Sequence, residues 1–224
     1  MDGDDISQEE FSACMKDLTH VNTLTRTRPP TLGFVMKALE AHPGGGMPVI
    51  LDVGFGAGDM LRAIEEMCQR RRLSARLIGI DRNPRSEHYA RTQTAPSSRI
   101  DYRTGELYDL PEDEQPDLLI SSQVTHHMRD DEIVRFVRWM EQHARLGWLV
   151  SDLHRHRLAY RGFQALARAM RWHRMVRHDG PVSVARSFTR ADWLRYLRDA
   201  GLDPGSAAIE WHVPFRYTIA RRKW

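Results

Sequence analysis

Short apolar runs alternate with stretches of helical periodicity through most of this chain. Val49-Ile50-Leu51-Asp52-Val53, Leu77-Ile78-Gly79-Ile80, Asp117-Leu118-Leu119-Ile120-Ser121 and Trp148-Leu149-Val150-Ser151-Asp152 are continuous rather than alternating. That is the pattern of strands buried on both faces. Ile100-Asp101-Tyr102-Arg103 is a weaker strand signal ahead of the third run. Met60, Leu61, Ile64, Met67 and Cys68 recur at helical spacing directly after the first strand. Ile133, Phe136, Val137 and Met140 do so after the fourth, with Asp130, Asp131 and Glu132 where the helix dipole favours acids. Thr189 with Asp192 predicts a helix start ahead of Trp193, Leu194 and Leu197, and Gly201 predicts its stop. Ile209 to His212 and Phe215 to Ala220 read as two final strands joined at Pro214 in a hairpin.

Strands and helices in this order predict an α/β fold. The expected architecture is a Rossmann-like, doubly wound, seven-stranded sheet, mostly parallel, with an antiparallel C-terminal edge hairpin. Residues 154–186 interrupt the alternation and predict a helical insertion after the fifth strand. Residues 1–46 predict an N-terminal helical cap, separated by a linker at Pro43 to Gly46 from a main domain at 47–224.

Composition narrows the classes. The 224 residues are 41% hydrophobic and 28% charged, as in globular proteins rather than disordered or fibrous ones. No apolar run reaches the length of a membrane span. Met1 to Glu10 is acidic and lacks the cationic start and apolar run of a secretory signal. Cys14 and Cys68 are far apart, which excludes a disulfide framework and points to a reducing cytoplasm. Residues 154–186 hold eight arginines against one acid, Asp179. Such a patch is a docking surface for a polyanion, a solvated helix face, or a set of arginines that orient an anionic small molecule. Aromatic residues do not interleave the arginines regularly, which makes nucleic acid the weaker option.

The chemistry gathers at Gly54-Phe55-Gly56-Ala57-Gly58, a glycine loop between a strand and a helix. Glycines there let the backbone turn tightly and approach a ligand. Asp81 lies 23 residues past Gly58, at the end of the second strand, where an acid accepts ribose hydroxyls. The dinucleotide fingerprint needs a third glycine where Asp59 stands, and no Walker lysine follows.

Asp52 followed by Gly54, Gly56 and Gly58 resembles class I S-adenosylmethionine-dependent methyltransferases. Gly105-Glu106-Leu107-Tyr108-Asp109-Leu110-Pro111 is similar to that family's third motif. Pro116 through Met128, with Ser122, Gln123, His126 and His127, is similar to the fourth motif of small-molecule methyltransferases, including the ubiquinone/menaquinone-biosynthesis group. The resemblance covers about Val49 to Leu202 apart from the insertion. It implies S-adenosylmethionine as cofactor and S-adenosylhomocysteine as product. It implies Asp52 near the methionine amino group, the Gly54 to Gly58 backbone around the methionyl and ribose parts, and Asp81 on the ribose. Arg82 and Asn83 would flank the adenine, with Glu106 and Leu107 beside it, and Ser122 or Gln123 would line the passage near the sulfonium.

The acceptor is read by elimination. Ser121-Ser122-Gln123-Val124 replaces the Asn/Asp-Pro-Pro-Tyr/Phe of amino methylation, and neither cysteine lies near the motifs for cytosine carbon methylation. Oxygen methylation of an aromatic, polyketide or quinone-like metabolite remains, and histidine is the side chain best tuned to take a phenol proton. His126 and His127 follow the fourth strand. His154 and His156 follow the fifth. All four are predicted to project toward the catalytic rim, with His154, His127 and His126 as the base candidates. A metal held by Asp152, His154 and His156 is the rival use of those residues, and no metal is expected. The rival acceptor is RNA or protein docked on the basic insertion, and the rival class is a binding module without catalysis.

Overall fold

The computed structural model describes residues 7–42, 44, 46–110 and 114–224. Pro43 and Gly45 of the linker, residues 1–6 of the N-terminal segment and Pro111 of the third motif lie outside them. A seven-stranded sheet has the order β3-β2-β1-β4-β5-β7-β6. Its strands are β1 (Val49–Val53), β2 (Arg76–Asp81), β3 (Asp101–Thr104), β4 (Leu118–Ser122), β5 (Gly147–Leu153), β6 (Ala208–His212) and β7 (Arg216–Arg222). The first five are mutually parallel, and β7 runs antiparallel between β5 and β6.

The helices are α1 (Gln8–Leu24), α2 (Arg28–Glu40), α3 (Asp59–Arg71), α4 (Pro84–Thr92), α5 (Asp130–His143), α6 (Arg157–Ala169), α7 (Arg174–Arg186) and α8 (Arg190–Asp199). Each apolar run sends alternate residues to opposite faces. Leu51, Ile78, Leu119 and Val150 meet Phe136 and Val137 of α5 and Trp193 and Leu197 of α8. Ile50, Leu118, Ile120 and Leu149 meet Leu61 and Ile64 of α3 and Val35 and Ala38 of α2. The second helix of the N-terminal segment is therefore one of the helices that cover the sheet.

Local chemistry ends the helices where expected. Thr189 and Asp192 form a reciprocal capping box at the start of α8, and Gly201 follows its end at φ +87°. Helix α4 was not foreseen, because only Ser86, Tyr89 and Ala90 of its nine residues are buried. Its one sequence signal is Asn83, which caps it, followed by Pro84 at the first turn. Residues 157–186 form two helices, α6 and α7, that pack on each other. Chain order reverses between β1 and β4, which opens a crevice beyond the C-terminal ends of these strands.

Candidate active site

Gly54, Gly56 and Gly58 take φ values of +73°, +53° and +71° between β1 and α3. A Cβ on Gly54 would stand 2.3 Å from Val124 Cγ2, and one on Gly58 would stand 2.6 Å from Tyr102 Oη. Backbone conformation and space both exclude larger residues at these two positions. The loop is tied to the next strand through Asp81. Its Oδ2 accepts from Gly56 N at 2.9 Å and its Oδ1 accepts from Asn83 N at 2.9 Å. Both carboxylate oxygens are thereby aimed beside the loop.

The surrounding candidates are held as follows. Asn83 Oδ1 accepts from Arg85 N at 3.0 Å and so caps α4. Arg82 forms an exposed ion pair with Glu106, Nε to Oε2 at 2.8 Å. The Leu107 side chain is buried in the core on the α5 face.

Three acids converge under the loop. Asp52 is fully buried, and burial, then Asp59 and Asp81, push its carboxyl up to about 8. Burial also raises Asp59, against the nearby Arg28 and Arg62. Arg28 Nε lies 3.9 Å from Asp59 Oδ2 and offsets part of the cluster's charge.

Beside the loop lies a cavity of about 350 Å³. Its walls are Met15 and Asn22 of α1, Asp52 and the loop, Ser122, Gln123, His126 and His127 after β4, Leu153 of β5, and Phe163, Met175 and Val184 of α6 and α7. Gln123 adopts φ +60° and donates through Nε2 to Asn22 Oδ1 at 2.6 Å, which fastens α1 over the end of β4.

His126 meets Asp152 of β5 in the buried floor of this cavity. Its Nδ1 lies 2.7 Å from Asp152 Oδ1, and its backbone N donates to Oδ2 at 3.1 Å. Thr125 Oγ1 donates to the same oxygen at 2.5 Å. Burial alone would raise the Asp152 carboxyl, but the His126 charge and these hydrogen bonds hold it down at about 2. The carboxylate accepts, so Nδ1 carries a proton and Nε2 is the ring nitrogen that Asp152 does not take. The His127 ring packs against His126 at a tilt of 39°, with centroids 4.2 Å apart.

His154 does not join them. Trp211 Nε1 donates to its Nδ1 at 3.2 Å, and its ring lies 4.8 Å from that of Tyr217, toward the β6 edge of the sheet. Burial, then His156, lowers its pKa. His156 caps α6, its Nδ1 accepting from Leu158 N at 3.1 Å. The expectation that all four histidines project to one rim is corrected. His126 and His127 line the cavity; His154 and His156 are drawn to aromatic residues of the C-terminal hairpin. The rival metal set does not form either, because Asp152 is committed to His126. No group of three or more His, Cys, Asp or Glu that could hold a metal occurs among the described residues. No helix among them is long and apolar enough to cross a membrane.

Residues 50–147 match the family model described as "Methyltransferase domain". The matched segment is somewhat less than half of the chain. No curated protein matches the chain significantly. Among solved structures, human N-acetylserotonin methyltransferase in complex with SAM is similar with a TM-score of 0.65 at 16% identity, over 97% of this chain and 56% of that one. The chain thus spans little more than half the length of that protein. A SAM-dependent methyltransferase from Aquifex aeolicus is similar at 0.60 and 15% identity, over 96% and 97% of the two chains. The plantazolicin methyltransferase BpumL, in complex with a triazolic desmethylPZN analog and SAH, gives 0.61 and 14%, over 91% and 76%. At these identities the likeness is one of fold.

The matched segment holds the loop, Asp52, Asp81 and the two histidines, whereas α1, α6 and α7 of the cavity walls lie outside it. The pairing of Asp152 with His126 was missed in the sequence. It arises because β4 and β5 are neighbours with Ser122 opposite Ser151, which the 26-residue separation does not disclose.

Proposed function

We propose that this chain transfers the methyl group of S-adenosylmethionine to an oxygen of a small-molecule acceptor, with His126 as general base and Asp152 as the residue that orients it. The observation that carries the reading is the buried Asp152–His126 pair facing a cavity that the glycine loop also lines. The residues present fit the cofactor: two glycines stand where any Cβ would collide, and the buried Asp52 carboxyl faces the same cavity as the loop. When bound, the cofactor supplies an electrophilic methyl on a sulfonium.

The chain does the rest. Asp81, already aimed by Gly56 N and Asn83 N, accepts the ribose hydroxyls, and Asp52 compensates the ammonium. Arg82, Asn83, Glu106 and Leu107 border the adenine side, and Ser122 and Gln123 border the passage to the acceptor. His126 Nε2 would take the acceptor's hydroxyl proton as that oxygen is methylated. Asp152 holds the imidazole in the required tautomer and stabilises the imidazolium. Helices α1, α6 and α7 exclude water and shape the acceptor site. His127, packed at a tilt against His126, positions the ring. Helix α1 of the N-terminal cap and helices α6 and α7 of the insertion form the acceptor side of the main domain (47–224), and the enzyme works in the cytoplasm.

Methyl-labelled cofactor incubated with host metabolites, RNA and protein tests this reading. Label is expected in a small hydroxylated metabolite at a rate that barely changes with salt. Label in RNA, falling steeply as salt rises, would move the assignment to the basic insertion.

A further inference from the structure

Residues 154–186 carry eight arginines, of which Arg155 and Arg174 pair with Asp192 and Glu10. The other six, Arg157, Arg161, Arg168, Arg171, Arg177 and Arg186, are exposed and form no ion pair among the described residues. Helix α6 contains no acid at all. A helix face that only meets water ordinarily mixes both signs of charge. Here the cations stand without acids, and apolar side chains stand between them. Leu158, with Arg157 and Arg161 on either side, is 67% exposed. Gly162, Ala165 and Ala169 share its exposed side of α6. Met170 and Val182 of α7 are exposed as well.

The turn between β6 and β7 extends this surface. Val213 there is 68% exposed, and Trp211 at the end of β6 is 48% exposed. His156, which caps α6, stacks on Phe215 with centroids 5.0 Å apart, and Trp211 meets the same Phe215 ring edge-on at 6.2 Å. Five of the nine large apolar side chains exposed among the described residues therefore belong to the α6–α7 segment or this hairpin. Arg216, at the start of β7, is in register with Leu153 at the end of β5. The turn thus stands at the C-terminal edge of the parallel strands, where the cavity also lies.

We propose that the exposed face of α6 and α7, together with the β6–β7 turn, is a docking surface for an anionic lipid bilayer. Six unpaired guanidinium groups complement a negatively charged surface within a Debye length of it. Their stems let the charged heads stay among lipid headgroups while Leu158, Trp211 and Val213 enter the layer beneath. Nucleic acid offers the same charge, but single strands are held by rings on which bases stack. The rings of this segment turn inward instead: Trp172 is 4% exposed and packs against Phe163. A bilayer uses the exposed aliphatic side chains that nucleic acid would leave in water. Val182 and Arg186 also line the cavity, so the docked bilayer borders its mouth. Docking of this kind does not depend on methyl transfer, and its test needs no acceptor.

The whole chain is mixed with vesicles of phosphatidylcholine alone or of equimolar phosphatidylcholine and phosphatidylglycerol, and bound protein is measured by sedimentation. Binding to the mixed vesicles is expected to be at least about 10-fold tighter, and to weaken as salt rises. Arg157→Glu with Arg161→Glu should lower that affinity about 10-fold or more. Leu158→Asp with Val213→Asp should lower it through loss of the inserted side chains. All four side chains are exposed, and thermal unfolding checks that the variants keep the fold. Brominated phosphatidylcholine in the mixed vesicles should quench the wild-type tryptophan fluorescence, an effect reduced in Trp211→Phe. No preference for the mixed vesicles, or unchanged affinity in either double variant, overturns the proposal. If a double variant does not fold, the quenching decides, and its absence overturns the proposal equally. Random single-stranded RNA bound more tightly than the mixed vesicles, and released by Arg157→Glu with Arg161→Glu, would assign the surface to nucleic acid and overturn it as well.

Discussion

Asp52→Asn should make the cofactor-free protein more stable while weakening its hold on the cofactor. In the folded chain burial, with Asp59 and Asp81 behind it, raises the Asp52 carboxyl from 3.8 to about 8. A raised carboxyl keeps its proton in the folded state after the unfolded chain has lost it. Stability is therefore complete below the unfolded value and falls as pH rises toward 8. At pH 7 the gap is about three units, or about 4 kcal/mol as an upper figure at 1.36 kcal/mol per unit. The carboxamide keeps the shape and removes the penalty. If half of it is realised, a gain of about 2 kcal/mol raises Tm by roughly 4–8 °C in a chain of this size. Thermal unfolding from pH 5 to 9, with and without S-adenosylhomocysteine, measures both effects. The gain should be small at pH 5, grow toward pH 8 and then level off, and the ligand should stabilise the variant less than the wild type. A variant less stable than the wild type at every pH, or a gain independent of pH, would refute the reasoning.

Other perturbations separate the remaining roles. His126→Ala should lower kcat about 100-fold or more with cofactor affinity unchanged, the scale of losing a general base, and Asp152→Asn should act in the same direction by favouring the wrong tautomer. Steady-state kinetics beside calorimetric titration check both; equal turnover in His126→Ala removes it as base. His154→Ala should leave kcat within about two-fold, since its ring faces Trp211 and Tyr217 rather than the cavity. Gly54→Ala should lose cofactor binding through the clash with Val124, and Val124→Ala in the same chain should recover part of it, leaving the strain of φ +73°. No recovery in the double variant would mean that backbone strain alone decides that position.

The sheet was legible because its strands are buried on both faces and so appear as unbroken apolar runs, from Val49-Ile50-Leu51 to Trp148-Leu149-Val150. The glycine loop was legible because its conformation admits little else. Helix α4 was not, because its buried face is only Ser86, Tyr89 and Ala90, of which just two are apolar. The divergent fates of His126 and His154 were not legible either. Both follow strand ends, and what separates them is which neighbour reaches each ring: Asp152 across the β4–β5 pair, or Trp211 across the C-terminal hairpin. Arg216 gave no signal at all, since one arginine among thirty looks like surface until its burial is known.

Calorimetric titration of S-adenosylhomocysteine into the wild type and Asp81→Ala tests the central claim most directly. A single site per chain is expected, weakened about 10-fold or more in the variant by loss of charged acceptors for the ribose hydroxyls. No binding to the wild type, or the same affinity in both proteins, would contradict the account.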